Sequence, residues 1–321
     1  MFKWVFWIFC FFFFVPTSFS LSKKTYKEYK VDYVPAKRHM TLFNEFMKLH
    51  AKFEKGALSR AEYGRKMDIL DELLRREPQW LDGYWLLASE AFQLGATYNK
   101  ESELGQARRA FERGRVAAEK CHKMDRKNPL CRLFLGSCIG KIGTIDGVFA
   151  SLSQAKEVHD LWKSVTRSPY NFYFRPNMTL QGSARYALGI FYRLVPDSFI
   201  IDLLFGVSGD IETSVRYHKE SLIVDSGNPC SHLMMAVALI CRADGEKDHA
   251  DHRDGLRRLT NVLTMKSADI PQDVCKAGAK SVLKDPGLAC GYTTAKQQEL
   301  SEDQIEELKK PHKELIKSDK D

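Results

Sequence analysis

The chain has 321 residues, a net charge of +8, 44% hydrophobic residues and eight cysteines. That length allows one extended domain or two compact ones. Its acidic and basic residues are interspersed, as at Arg108, Arg109, Glu112 and Arg113, which describes a solvated helical surface and excludes the basic stripe with interleaved aromatics that a nucleic-acid binder needs.

Residues 1–20 begin with Lys3, continue as an apolar run from Trp4 to Val15 and end in Pro16, Ser18 and Ser20. A charged start, a short apolar core and small residues describe a secretory signal cleaved near Ser20. The run is shorter than the roughly 20 residues a membrane span requires. The protein is therefore expected to be exported, secreted or periplasmic. Cys10 lies in the signal, so seven cysteines remain, an odd number that leaves at least one unpaired in an oxidising compartment. Cys131 and Cys138, and Cys230 and Cys241, each fall on one predicted helix, too far apart along it to bridge. Cys131 and Cys138 are expected as packed core thiols. Cys275 with Cys290, or either with Cys241, is the bridge to look for first.

Residues 21–36 are polar, rich in Lys and Tyr and without period; Pro35 favours an extended leader that straps the domain. From residue 37 the apolar spacing becomes helical. Phe43, Phe46, Met47, His50 and Phe53 make one stripe, and Tyr63, Met67, Leu70 and Leu74 its partner. Tyr84, Leu87, Ala88 and Ala91 face Ala107, Ala110, Phe111, Gly114, Ala117 and Cys121 in a second pair. A third sets Cys131, Leu135, Cys138, Ile139 and Ile142 against Val148, Leu152, Ala155, Trp162 and Val165. The fourth joins a stripe through Ala184, Leu188 and Phe191 to one through Ser214, Val215, His218 and Leu222 across the apolar insert 196–209, which contains Phe199, Ile200, Leu203, Leu204 and Phe205. A fifth opposes Leu233, Ala236, Val237 and Ile240 to Leu256, Leu259 and Leu263. Residues 267–321 are expected to form a capping helix through Cys275, Ala279, Val282 and Leu283 and then a charged tail.

Prolines 78, 129, 169 and 229 punctuate the pairs at intervals longer than the roughly 34 residues of a regular tetratricopeptide array, so the turns carry insertions. Leu135 with Gly136, Leu188 with Gly189 and Tyr192, and the ends Asp125 to Pro129 and Asp225 to Pro229 resemble that repeat. The fold expected over 37–266 is an all-α, tetratricopeptide-like, right-handed solenoid of about five helix pairs. Gly143 to Gly147, Ala155 and Lys156, Met178 to Gly189, the insert, and Asp210 to Lys219 further resemble the repeat core of the regulator-of-microtubule-dynamics family, where a long apolar insert likewise separates the two helices of one repeat. That resemblance spans about Gly83 to Leu263 and implies the fold and no catalytic motif. Export sets the microtubule association aside and makes exported bacterial solenoids, such as the T component associated with TRAP transporters, the better analogue.

Candidate chemistry is sparse. His249 and His252 share a helix face but lack a third metal ligand, and the acidic run around them describes a helix start. His218 sits on a buried stripe, where a hydrogen-bonded core histidine is expected. No Gly-x-Ser-x-Gly, His-Glu-x-x-His or phosphate-cradling loop occurs. If the first helix of each pair lines the concave side, its register exposes Trp85, Ser89, Gln93, Ser137, Lys141, Tyr186, Arg193 and Leu233, a set containing the aromatic and Arg anchors typical of binding faces; the alternative is packing against the next unit. The function expected is non-enzymatic: a binding or scaffold protein recognising a protein, peptide or small ligand, without cofactor, metal or nucleic acid. The alternative is an accessory subunit for envelope transport or assembly, whose apolar insert drives homo-oligomerisation or peripheral membrane contact.

Overall fold

The computed structural model describes residues 25–56, 58–298 and 305–306; the segment 1–20 expected to be a signal and most of the charged tail beyond 298 lie outside them. Thirteen α-helices follow one another among these residues. A single turn α1 (Val34–Lys37) precedes α2 (Met40–Lys55) and α3 (Arg60–Arg76), the first pair. Then come α4 (Leu81–Ala96) with α5 (Leu104–Met124), and α6 (Pro129–Asp146) with α7 (Leu152–Arg167). The fourth pair is α8 (Leu180–Leu194) and α10 (Ile211–Val224), with the insert between them forming α9 (Phe199–Phe205). The fifth is α11 (Pro229–Arg242) and α12 (Ala250–Thr264), capped by α13 (Ile270–Lys284).

Helix starts follow from the sequence at the turns. Asn128 and Asn228 are N-caps whose side chains accept backbone N–H groups, and Pro129 and Pro229 supply the first helical residue, where no N–H is needed. Ser59 and Glu62 form a reciprocal capping box. Apart from α9, which packs on α7, each helix packs on the next one, α8 on α10 across the insert, and the first helices also touch in series: α4 with α6, α6 with α8, α8 with α11, α11 with α13. This double contact is the repeat architecture of a tetratricopeptide-like solenoid. Close approach within a pair depends on missing side chains: a Cβ on Gly136 or Gly140 would lie 2.8 or 2.9 Å from the Trp162 ring.

Three local expectations are corrected. Pro35 stands inside the turn α1, because a proline in a first helical turn costs no hydrogen bond. Cys131 is not a core thiol but bridges to Cys121, with Cα atoms 5.5 Å apart, because the α5–α6 turn folds the end of one helix back onto the start of the next. Cys275 pairs with Cys230, and Cys241 with Cys290; the second is among the bridges expected. Cys138 is buried and free, as expected.

Short strands appear that the helical spacing did not suggest. In the α7–α8 connection β2 (Tyr170–Asn171), β3 (Tyr173–Arg175) and β4 (Met178–Thr179) follow Pro169. β3 pairs antiparallel with β4, while β2 pairs parallel with β1 (Lys27–Glu28) of the leader. Residues of the leader hydrogen-bond to α4 and to the α5–α6 turn. Tyr29 donates to Asp82 at 2.6 Å and accepts from Asn128 at 2.8 Å, and Trp80 donates to the Asp32 carbonyl at 2.6 Å. Among the described residues no helix is long and apolar enough to cross a membrane.

Candidate functional site

α4, α6, α8, α11 and α13 stand in series and turn one row of side chains inward. Two of the chain's own segments lie against that row. The aromatic residues of the α7–α8 connection fill one part: Phe172 meets Trp85 edge-on at 5.3 Å, Phe174 meets Phe134 at 5.5 Å, and Trp85 stacks on Phe134 at 6.3 Å. Arg175, next in the hairpin, is buried 3.2 Å from Asp269, donates to the Ala268 carbonyl and lies 3.7 Å from the Phe53 ring centre. It thus ties α2 to the lead-in of α13.

The second segment follows α13. Arg193 donates to the carbonyls of Ala289 at 2.9 Å, Cys290 at 2.6 Å and Tyr292 at 2.7 Å. Lys141 donates to Thr294 Oγ1 at 2.7 Å, and Gln298 donates to the Thr144 carbonyl and accepts from the Val148 N–H. The Cys241–Cys290 bridge fixes the same segment to the end of α11.

Between these segments and the helices is a cavity of about 250 Å³. Phe92, Phe134, Tyr186, Ile190 and Met234 from the helices and Phe174 and Met178 from the hairpin give it apolar walls; Gln93, Ser137, Lys141, Thr144, Ser183, Thr293 and Thr294 place a few polar groups among them. An apolar enclosure with few polar groups is the usual form of a small-ligand site. Burial dominates its electrostatics. It pushes Lys141 down to about 8, with no ion pair among the described residues to hold the charge, and Tyr186 upward. Asp225, at the edge, is raised to about 6 by burial, partly offset by hydrogen bonds from the Thr179 N–H and hydroxyl. Behind Tyr186, His218 is lowered to about 3 by burial and then by the nearby Arg193 charge. Among the described residues its two ring nitrogens have no hydrogen-bond partner, unlike the satisfied histidine expected; the ring instead packs where a Cβ on Gly189 would stand.

Of the residues expected on the concave face, Gln93, Ser137, Lys141 and Tyr186 come together on the cavity wall. Trp85 is only 1% exposed, and Ser89, Gln93, Arg193 and Leu233 are also buried, so none of these five is exposed as the register suggested, although Gln93 still reaches the cavity wall. Helical spacing could not show that Phe172 would cover Trp85 or that backbone carbonyls would surround Arg193. In the insert, Ile200 is buried, Leu204 and Phe205 half-buried, and Phe199 and Leu203 exposed; none lines the cavity. The wall residues that helix spacing missed are Phe174 and Met178, which the aromatic run after Pro169 signals, and Thr293 and Thr294, for which the sequence holds no signal. His249 is the N-cap of α12 and accepts from the Asp251 N–H, which agrees with a helix start. Among the described residues no group of three metal-ligating side chains gathers.

No family model matches the chain, and no curated protein matches it significantly. The solved structures it is similar to include two of helical-repeat type. A thermophilic TPR protein of Thermus thermophilus has a TM-score of 0.47 and 11% identity over 75% of this chain and 98% of its own. The human IFIT1 dimer with PPP-AAAA has a TM-score of 0.38 and 12% identity over 81% of this chain and 62% of its own.

Proposed function

We propose that the chain is an exported, non-enzymatic binding protein that holds a small, largely apolar ligand in the cavity between α4, α6, α8, α11 and α13. The observation that carries this reading is the cavity itself. A peptide or protein partner would need the concave surface that Phe172, Phe174 and residues 289–298 already cover, whereas a small ligand needs only the space these segments leave. Three disulfides support export, since such bridges persist in oxidising compartments.

The test is titration of the full chain with a series of straight-chain alcohols, followed by intrinsic fluorescence and calorimetry. Each methylene buried should tighten binding by about fourfold, the equivalent of ~0.8 kcal/mol, until the cavity is full. Ala187→Phe, which adds a ring to the wall, should abolish binding while leaving far-UV circular dichroism unchanged. Equal binding by wild type and variant would overturn the reading.

A second reading, the accessory subunit, has one observation in its favour: Phe199 and Leu203 stand on one side of α9, 58% and 45% exposed. It is tested at that helix below.

A further inference from the structure

We propose that the cavity's ligand is an amphiphile bearing a single negative charge, of the carboxylate class, with its head on Lys141 and its apolar chain along Tyr186, Ile190 and Met234. This rests on the cavity being a ligand site, and adds the head group.

The argument starts from charge. Lys141 projects from the middle of α6 and is the one cationic side chain among the described residues that line the cavity. Its ammonium has one hydrogen-bond partner, the Thr294 hydroxyl, and forms no ion pair among the described residues. An ammonium carries three donors, and Lys141, half-buried, uses one of them within the described residues. The fully buried cations are provided for: Lys66 pairs with Glu90 at 2.5 Å, Arg175 with Asp269 at 3.2 Å, and Arg193 has three carbonyl acceptors. Lys141 alone of these faces the cavity lacking such a set, and the Ser137 hydroxyl, one turn away on the same helix and in the lining, can donate to the same head.

The size of the charge follows from the remaining ionisable groups. Asp225 and Asp269 also line the cavity. Both already have partners, Thr179 and Arg175, so neither needs the ligand. Asp269 is neutralised by Arg175, but Asp225 has only the uncharged Thr179 and keeps its own negative charge above about pH 6, so a second charge on the ligand would be opposed and a monoanion on Lys141 is favoured over a dianion. The wall beyond Lys141 is mostly apolar, through Tyr186, Ile190 and Met234, which suits a hydrocarbon chain better than a sugar or peptide.

The experiment compares decanoate, decanol and decyl phosphate on the full-length chain at pH 7.4, by calorimetry and by displacement of a fluorescent apolar probe. Decanoate is expected to bind at least tenfold more tightly than decanol, as a charge-assisted hydrogen bond implies, and more tightly than decyl phosphate. Lys141→Met should bring the acid to the affinity of the alcohol, whereas Lys141→Arg should keep the preference. Decanol and decanoate binding equally to wild type would overturn the head-group assignment and leave the apolar site standing; binding of neither would overturn the site itself. Decyl phosphate equal to or tighter than decanoate would overturn the single-charge argument. The wild-type comparison decides the matter even if Lys141→Met does not fold.

Discussion

His218, within α10, and Asp225, its C-cap, are both buried, and burial shifts them in opposite senses. The folded chain holds His218 neutral, with its pKa lowered to about 3, while the unfolded imidazole takes a proton below about 6.5. Between these values the unfolded state binds more protons, so His218 removes stability as pH falls through that window. Asp225 is raised to about 6, above an unfolded value of about 3.9; in that narrower window the folded state binds more protons, and stability falls as pH rises. The two slopes oppose one another between about pH 4 and 6. Compared with wild type in urea titrations at a series of pH values, His218→Phe should lose the acid-side decline, and Asp225→Asn should steepen it. Parallel curves for all three proteins would contradict the buried placement of both groups. Lys66 and Glu90 give a different residue-scale prediction. Lys66 is buried, lies near the rings of Phe46 and Phe53 and pairs with Glu90, whose second oxygen has no partner. Lys66→Met should cost about 3–5 kcal/mol because it strands a buried carboxylate, whereas Lys66→Met with Glu90→Leu should be close to neutral. Denaturant midpoints of the two variants check this.

At the scale of elements, α9 resolves what the apolar insert is for structurally. A seven-residue helix has no independent stability in water. It persists because Ile200 and Ile201 are buried in the core, and because Gly206 ends it in the left-handed conformation a glycine adopts without strain. Ile201→Ala should therefore cost about 2–4 kcal/mol or open residues 196–209 to protease. Phe199→Glu combined with Leu203→Glu changes only exposed positions and should leave stability within ~0.5 kcal/mol and the light-scattering mass unchanged. A wild-type oligomer that the double variant converts to monomer would instead favour the accessory-subunit reading. The apolar character of this insert was evident from its composition. Which of its residues turn inward was not, since a run with little period does not choose a face; α7 chooses it.

For the whole molecule, the disulfides hold the concave side in its covered form. Cys241–Cys290 closes a loop with a sequence separation of 49 between α11 and the segment that Arg193 and Lys141 also hold. Cys241→Ser with Cys290→Ser should lower stability by about 3–4 kcal/mol on the loop-entropy estimate and speed limited proteolysis between residues 285 and 298. The core helices, stapled by other contacts, should resist. Unchanged cleavage there would mean that the hydrogen bonds of Arg193 and Gln298 suffice alone.

Much of this organisation follows from the chain's own local pattern. The five helix pairs, the capping helix, the Asn-Pro turns at 128–129 and 228–229 and the location of the insert all depend on contacts three or four residues apart, or on one cap and one proline, so periodicity carries them. Gln93, Ser137, Lys141 and Tyr186 were legible as inward-facing for the same reason. What only the tertiary structure decided is how the inner surface is filled. The bridge partners of Cys131 and Cys275, the cover that Phe172 gives Trp85, the carbonyls around Arg193 and the threonines opposite Lys141 each join residues distant in sequence or on different elements. No local spacing encodes such meetings. They depend on how far each repeat turns relative to the next, a quantity set by side-chain volume at every interface, including the close approach at Gly136 and Trp162.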